Sequence, residues 1–336
     1  MASIQQDQVQ LHVNDGPLSP DQVGELQPSN PSEPMGVLRA KYDRDGYLFL
    51  KGILPREEVL AAREAYFRAM SSTGVLEPGT DPVEGIFNKS ADPLDYPNIG
   101  AGAAENSRLG TSEKSHNFED LSIQAHTQDW YIGSRDGKIK GFTNNQTLRD
   151  FVSEFTGWDN HILSLKRTLL RNNCPTNRAI GVHYDQVFLR YGEPTSVTAW
   201  VPLGDIKLDG GGLIYLEGGE QLGEQIENEF SAQAIADGMT EEEMKYAFNK
   251  NMMSTGFLFE GPAEFSRTYN RKWLVTAYAA GDVVLHKPHQ ASNIHASTIN
   301  HDREGRIRLG TDLRYVNSAR KFDERWLNHF HFNDGL

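Results

Sequence analysis

The second half of the chain consists of short runs of strand-forming residues with turn-forming residues between them. From about residue 161 onward, apolar and β-branched runs alternate with Gly, Pro and Asn. Many short strands joined by such turns are typical of an all-β sandwich or a jelly roll. The candidate strands lie in HILSLKRTLLRN, AIGVHYDQVFLRYG, SVTAWVPLGD, GGLIYLEGG, WLVTAYAAGDVVLHKP, NIHASTIN and IRLGTDLRYV.

Two segments differ from this β pattern. Residues 1–35 are rich in Gln, Ser, Pro, Asp and Gly and have no sustained apolar period, which predicts a flexible N-terminal arm. Residues 220–265 interrupt the strands and contain GMTEEEMKYAFNKNMM, where Thr240 and Glu243 have the spacing of a capping box. We therefore predict a single domain over residues 36–336, with a helical insertion at about 220–265.

Ordered structure is predicted to begin in LRAKYDRDGYLFLKGILPREEV, where the strand Tyr47–Leu50 precedes a helix that starts near Pro55. Proline suits the first turn of a helix, because its missing N–H has no partner there. Glu57 and Glu58 place negative charge in the same turn, where it stabilises the helix dipole.

The composition disfavours several classes of function. At 336 residues and 37.7 kDa, the chain can bury one large core or two modest ones. A formal net charge of −13 disfavours nonspecific binding to nucleic acid or anionic lipid. One cysteine, Cys174, allows neither an intrachain disulfide nor a zinc–thiolate cluster. We expect a cytoplasmic protein without a membrane span, because no secretory signal and no long apolar run are visible.

One predicted strand carries charge where apolar residues are expected. In GVHYDQVFLRYG, His183 and Asp185 are two positions apart, so their side chains project from the same face of a strand. An imidazole and a carboxylate that converge are ligands for a divalent metal. The pair is common by chance in a chain with 11 His and 46 acidic residues, so a metal site needs a third ligand. The candidates for that ligand are His286, His289, His295 and His301.

The order of these motifs resembles the phytanoyl-CoA dioxygenase family of Fe(II)/2-oxoglutarate oxygenases. The His-x-Asp pair is followed by a Trp-containing strand, GGGLIYLEGG, GDVV, His-x-Ser and an arginine. The segment DRDGYLFLKGILPREEV is similar to the N-terminal strand and helix of the family. The resemblance covers roughly residues 37–320. It implies a double-stranded β-helix (jelly-roll) core with flanking helices.

For the metal, the resemblance implies an Fe(II) site formed by His183, Asp185 and His295, with His286 and His289 as alternatives for the third ligand. Two imidazoles and one carboxylate on one face of an iron leave three positions open for cosubstrate and oxygen. Related halogenases carry a small residue in place of the carboxylate. The presence of Asp185 therefore disfavours halogenation.

For the cosubstrate, Arg306 matches the arginine that binds the distal carboxylate of 2-oxoglutarate, and Ser297 matches the hydroxyl that assists it. A guanidinium offers a planar fork that binds a carboxylate through two hydrogen bonds. Arg308, on the same strand face, is the alternative. Trp200 matches the aromatic residue beside the metal pocket, although its spacing is one residue short. Arg190 is the candidate for binding a carboxylate or phenolate of the substrate. Weaker candidates are Trp130, Tyr131, Lys166 and Phe188.

The implied enzyme is a non-haem dioxygenase that uses Fe(II), 2-oxoglutarate and O2 to oxidise an unactivated C–H bond. Hydroxylation is the default outcome, and desaturation, epoxidation and rearrangement start from the same abstraction of a hydrogen atom. Ascorbate is a candidate stimulant of turnover, and a homodimer is a candidate assembly. We expect a small organic substrate in secondary-metabolite biosynthesis, because the acyl-CoA members usually carry a peroxisomal address that is not visible here. The alternatives are an acyl-CoA hydroxylase of the phytanoyl-CoA type and a non-catalytic jelly-roll binding module.

Overall fold

The computed structural model of the chain describes residues 9–97, 110–185, 193, 195–240, 243, 258–287, 294–329 and 331. Three residues named as candidates, Phe188, Arg190 and His289, lie outside the described residues. None of the helices in the described ranges is both long enough and apolar enough to cross a membrane.

The described residues from 161 onward contain eight short strands, as the turn-rich sequence predicts. The strands are β1 (His12–Val13), β2 (Gly16–Pro17), β3 (Val23–Glu25), β4 (Pro28–Ser29), β5 (Tyr47–Leu50), β6 (Ile162–Ser164), β7 (Leu169–Asn173), β8 (Val197–Pro202), β9 (Leu213–Leu216), β10 (Trp273–Val275), β11 (Val283–His286), β12 (His295–Ser297) and β13 (Arg308–Asn317). The helices are α1 (Met35–Asp45), α2 (Arg56–Met70), α3 (Glu113–Gln124), α4 (Asp129–Ile132), α5 (Gln146–Thr156), α6 (Gly219–Ala236) and α7 (Pro262–Tyr269).

Apart from the β1–β2 hairpin, the described strands form two sheets whose inner faces pack together. The larger sheet has the order β4-β5-β11-β8-β13-β6, with β7 also paired to β13, and the smaller has the order β12-β9-β10-β3. Aromatic pairs join the sheets: the rings of Tyr47 and Tyr215 stack at 5.6 Å, and Trp200 meets Tyr278 edge-on at 4.7 Å. This arrangement confirms the predicted jelly-roll core.

The N-terminal helices cover the outer face of the larger sheet. Along β13, Leu309, Leu313 and Tyr315 point outward into the largest apolar cluster, which also contains α2 and α5 side chains such as Phe67 and Val152. This alternation follows from the period of two in a strand. The predicted strand over Tyr47–Leu50 and the predicted start of α2 after Pro55 are both confirmed.

The N-terminal segment differs from the predicted flexible arm over its described part, residues 9–35. The strand β3 pairs in parallel with β10, and β4 pairs in parallel with β5, so the segment adds a strand to one edge of each sheet. Leu11, Leu18 and Leu26 are at most 4% exposed. These isolated leucines do not form a periodic apolar pattern. The composition therefore predicted a flexible arm, although the leucines are buried in the folded chain.

The predicted helical insertion contains α6 and α7, while residues 241–242 and 244–257 within it lie outside the described part of the chain. The predicted capping box is present: the backbone N–H of Thr240 donates to Glu243 at 2.8 Å, and the backbone N–H of Glu243 donates to the Thr240 hydroxyl at 3.3 Å. The tip of the β1–β2 hairpin also contacts this region, since Asp15 accepts hydrogen bonds from two backbone N–H groups in the first turn of α7.

Candidate metal and cosubstrate site

Two histidines and one aspartate meet between the sheets. The backbones of His183 and His295 exchange two hydrogen bonds of 2.9 Å, which places their rings side by side with centroids 4.2 Å apart. Asp185 follows His183 by two positions, and one ligand atom from each of the three residues lies within 4.8 Å of the others. All three are at most 5% exposed. The structure therefore brings the predicted triad together in a geometry that can hold a metal ion.

The protonation of His183 suits metal binding. Its Nδ1 lies 2.9 Å from the carbonyl oxygen of Gly181, so Nδ1–H donates to that oxygen and the Nε2 lone pair is available. Burial lowers the pKa of His183 to about 4, and the nearby charge of Arg171 acts in the same direction. The ring is therefore neutral at physiological pH, as a metal ligand must be.

The carboxylate of Asp185 is ionised despite its burial. Burial by itself would raise the pKa of Asp185, but Arg314 and His286 hold that pKa well below its usual range. Both partners are at most 1% exposed. An anionic oxygen ligand is thus present at the site before any cation arrives.

A small pocket opens next to the triad. Arg308 and Trp200 form one wall, and the guanidinium carbon of Arg308 lies 5.5 Å from the centre of the Trp200 ring. A Cβ at Gly310 would approach Trp200 Nε1 to 3.1 Å, so the absence of a side chain there keeps the space between Arg308 and Asp312 open. The lining residues are Arg171, Ile180, His183, Trp200, Leu213, His295, Arg308, Gly310 and Asp312.

The sequence matches the family model for phytanoyl-CoA dioxygenase (PhyH) over residues 42–307. The match covers most of the 336 residues. The chain belongs to this family. As a member with an intact His-Asp-His triad, it is an oxygenase of the Fe(II)/2-oxoglutarate-dependent type, which confirms the predicted enzyme class and its predicted iron and 2-oxoglutarate. The alternative of a non-catalytic binding module is not supported.

Comparison with curated proteins gives no significant match. Among solved structures, the chain is similar to the epimerase SnoN from nogalamycin biosynthesis in complex with Fe3+, α-ketoglutarate and nogalamycin RO, with 15% identity, TM-score 0.47 and coverage of 90% of this chain and 93% of that one. It is also similar to the carbocyclase SnoK from the same biosynthesis, with 14% identity, TM-score 0.47 and 87% coverage of both chains. AviO1 from Streptomyces viridochromogenes Tue57 gives 14% identity, TM-score 0.45 and coverage of 85% and 96%. The family assignment rests on the family model.

Within the oxygenase, the predicted cosubstrate arginine lies outside the pocket. The Arg306 side chain is 34% exposed and pairs with Glu304, whereas Arg308 is 4% exposed and lines the pocket. The reason is a tight turn before β13, in which Asp302 accepts the backbone N–H groups of Glu304 and Arg306. Because Arg306 belongs to this turn, β13 begins only at Arg308. Arg308 is therefore the first side chain of β13 that faces the pocket.

The other predicted residues occupy different places in the oxygenase. Trp200 lines the pocket, and Ser297 is fully buried, where its hydroxyl accepts the backbone N–H of Ile180 at 3.2 Å. The Tyr131 hydroxyl bonds Thr168 and Thr311, on the opposite face of β13 from the pocket. Lys166 is exposed.

Four site residues of the oxygenase were not predicted: Thr198, Arg171, Asp312 and Arg314. A signal for two of them exists in IRLGTDLRY, where charged or small residues occupy every second position of β13 from Arg308 to Arg314. Charge on one face of an otherwise apolar strand indicates that this face meets a polar site. The signal for the other two is weaker, since Thr198 is a single polar residue in an apolar run and Arg171 stands among other polar residues.

Proposed function

We propose that this oxygenase oxidises an unactivated C–H bond of a small organic molecule in natural-product biosynthesis. The observation that carries the proposal is one pocket lined by both histidines of the buried triad and by Arg308, whose Nε has no hydrogen-bond partner within the described residues. A metal site alone needs no such arginine. A cosubstrate that binds the metal at one end needs such an arginine to bind the carboxylate at its other end.

The donor set fits iron. His183, Asp185 and His295 supply two imidazole nitrogens and one carboxylate oxygen, the combination typical of non-haem Fe(II) oxygenases that keep open positions on the metal. The three side chains are buried, and the hydrogen bond to Gly181 already orients one of the rings. When bound, the iron supplies the oxygen chemistry, while the protein supplies the ligands and a site that excludes water.

The pocket also fits 2-oxoglutarate, with Arg308 in the role that the resemblance gives to Arg306. Within the described residues, the Nε of Arg308 is buried and has no hydrogen-bond partner, so an incoming carboxylate would satisfy it. Burial lowers the pKa of Arg308 to about 10, which leaves the group cationic at neutral pH. The guanidinium lies over the Trp200 ring, whose face attracts a cation. Ser297 accepts a hydrogen bond from Ile180, which leaves its own proton available for donation to the cosubstrate.

A compact polar substrate suits this site better than a long acyl chain. The described wall carries Arg171 and Asp312 in addition to Arg308. Beside a bound 2-oxoglutarate, these charges would also border the substrate, and burying an alkyl chain against them would remove their remaining solvent without replacing it. The charged wall therefore supports a functionalised small molecule, with phytanoyl-type acyl-CoA as the comparison substrate. Arg190 keeps its proposed role toward a substrate carboxylate.

The test measures conversion of 2-oxoglutarate to succinate by the purified protein with Fe(II) under air. Phytanoyl-CoA, straight-chain acyl-CoA and a metabolite extract of the source cells are added in separate arms. We expect the extract to stimulate succinate formation and to show the loss of one compound and the gain of an oxidised one by mass spectrometry. Stimulation by acyl-CoA alone would overturn the substrate proposal, and no succinate in any arm would overturn the catalytic one.

A further inference from the structure

Three side chains approach the same oxygen of the metal-binding carboxylate. The hydroxyl of Thr198 donates to Asp185 Oδ2 at 2.9 Å, and Nη2 of Arg314 donates to it at 3.2 Å. The Nε2 atom of His286 lies 3.5 Å from the same Oδ2. The other oxygen, Oδ1, lies 3.9 Å from Nε2 of His295. One oxygen thus faces the donors, and the other faces the second histidine of the triad.

The three side chains form one cross-strand row. In the larger sheet, Thr198 lies on β8 between its register partners His286 on β11 and Arg314 on β13. All three are at most 1% exposed. Because the hydrogen-bond ladder fixes the spacing of directly opposite residues, the sheet holds the row in place whether or not a ligand is present.

Arg314 is poorly supported by the rest of the protein. Its guanidinium carbon lies 5.0 Å from the centre of the Trp326 ring, which covers it from the C-terminal segment. Within the described chain, its Nε and Nη1 atoms are buried without a hydrogen-bond partner. Burying an arginine with so few hydrogen bonds costs stability, so its pairing with Asp185 points to a role at the site.

We propose that Arg314 and Thr198 are positioning residues that hold Asp185 as a ligand through Oδ1 alone. The inference rests on the proposed metal site. A carboxylate whose second oxygen is occupied by two donors cannot rotate to bind a cation through both oxygens. Asp185 then uses a single coordination position, and the remaining positions stay available to cosubstrate and oxygen. Arg314 thus acts on the metal through Asp185 and touches neither the metal nor the cosubstrate.

The experiment uses the full-length protein freed of metal and titrated with Co(II) under nitrogen. Calorimetry gives the Kd, and the visible absorption of Co(II) reports its coordination. The variants are Thr198→Val, which keeps the shape of the side chain without its hydroxyl, and Arg314→Met. Two conservative variants accompany them: Thr198→Ser retains a hydroxyl, and Arg314→Lys retains a positive charge. Arg320→Met removes an exposed arginine that pairs with Glu193 and is the matched control.

We expect Thr198→Val and Arg314→Met to raise the Co(II) Kd by about 10- to 100-fold, the effect typical of residues that orient a metal ligand. Their Co(II) spectra should shift toward a higher coordination number. Thr198→Ser should keep both properties of the wild type, and Arg314→Lys should keep them only in part, because an ammonium is a point charge that does not occupy the position of Nη2. Circular dichroism confirms the fold of each variant.

Two outcomes separate this inference from the proposed function. If the wild-type protein bound no Co(II), the metal site itself would be wrong. If the wild type bound one equivalent and Thr198→Val matched its Kd and its spectrum, the positioning role would be wrong while the metal site stood.

Discussion

The guanidinium of Arg308 lies over the ring of Trp200, its carbon atom 5.5 Å from the ring centre. The two residues come from the adjacent strands β13 and β8, and both line the pocket beside His183 and His295. An aromatic face attracts a cation that lies over it, so Trp200 helps to hold Arg308 at the pocket, where its fork suits a planar carboxylate.

Arg308→Ala is expected to weaken 2-oxoglutarate binding by about 10- to 100-fold, since hydrogen bonds to a charged group contribute about 1.5–3 kcal/mol each and 1.4 kcal/mol is tenfold. Arg308→Lys should recover part of the loss. The measurement is an anaerobic titration of the Fe(II) protein with 2-oxoglutarate, followed by the metal-to-ligand charge-transfer band. Arg306→Ala is the matched control and should bind normally, because its side chain is partly exposed and pairs with Glu304. A loss in Arg306→Ala with normal binding in Arg308→Ala would reverse the assignment.

Replacing any member of the triad is expected to remove metal binding. Each of the variants His183→Ala, Asp185→Ala and His295→Ala lacks one of the three ligands. The Kd for Co(II) should therefore rise by more than the ~10- to 100-fold that is typical of residues that only orient a ligand. Calorimetry under nitrogen measures the Kd, and circular dichroism checks the fold. His301→Ala removes an exposed histidine and should leave the Kd unchanged. If His295→Ala still bound Co(II) tightly, the third metal ligand would be a residue other than His295.

His126 should make the metal-free protein less stable in mild acid. Its Nδ1 lies 3.1 Å from the carbonyl of Ser122, and its Nε2 accepts the backbone N–H of Leu170 at 2.9 Å, so the ring is held neutral. Burial lowers its pKa from 6.5 to about 4. Between these values the unfolded chain binds a proton that the folded chain does not. Stability is therefore lost as the pH falls below 6.5, by about 2 kcal/mol between pH 7 and pH 5.

Urea unfolding at the two pH values measures this effect. The protein with His126→Gln should lose less stability between pH 7 and pH 5 than the wild type, whatever its absolute stability. The control is His161→Gln, which removes an exposed histidine and should follow the wild type. Equal losses in the wild type and in His126→Gln would show that other groups cause the acid sensitivity.

Leu26→Ala should destabilise the fold although it lies in a segment with the composition of a disordered arm. Leu26 is 0% exposed and belongs to the cluster between the two sheets, with Tyr47 and Phe49. Removing a buried leucine typically costs about 2–5 kcal/mol. Chemical denaturation measures the free energy of unfolding, and Val37→Ala, at a site 43% exposed, is the control with little expected effect. A change below about 0.5 kcal/mol in Leu26→Ala would mean that the arm is not docked in solution.

The two-residue spacing of His183 and Asp185, the series of short strands and the helix after Pro55 could be predicted from the sequence because each depends on local periodicity. The third ligand could be chosen because the order of motifs resembles a known family, and the match to that family is now established.

The identity of the pocket arginine could not be predicted in this way. Arg306 and Arg308 have the same parity in a strand, so periodicity does not distinguish them. The turn around Asp302 decides where β13 begins, and that turn depends on hydrogen bonds formed in the folded chain.

The sequence alone thus determined the class of fold, the family and the three side chains that can hold a metal ion, since these follow from local pattern and motif order. Only the tertiary structure decided that Arg308 and not Arg306 faces the pocket, that Thr198 and Arg314 flank Asp185, and that Leu26 is buried. These residues are far apart along the chain, and strand register and sheet packing bring them together. Register is set by the summed packing of whole strands, which no short segment of sequence encodes.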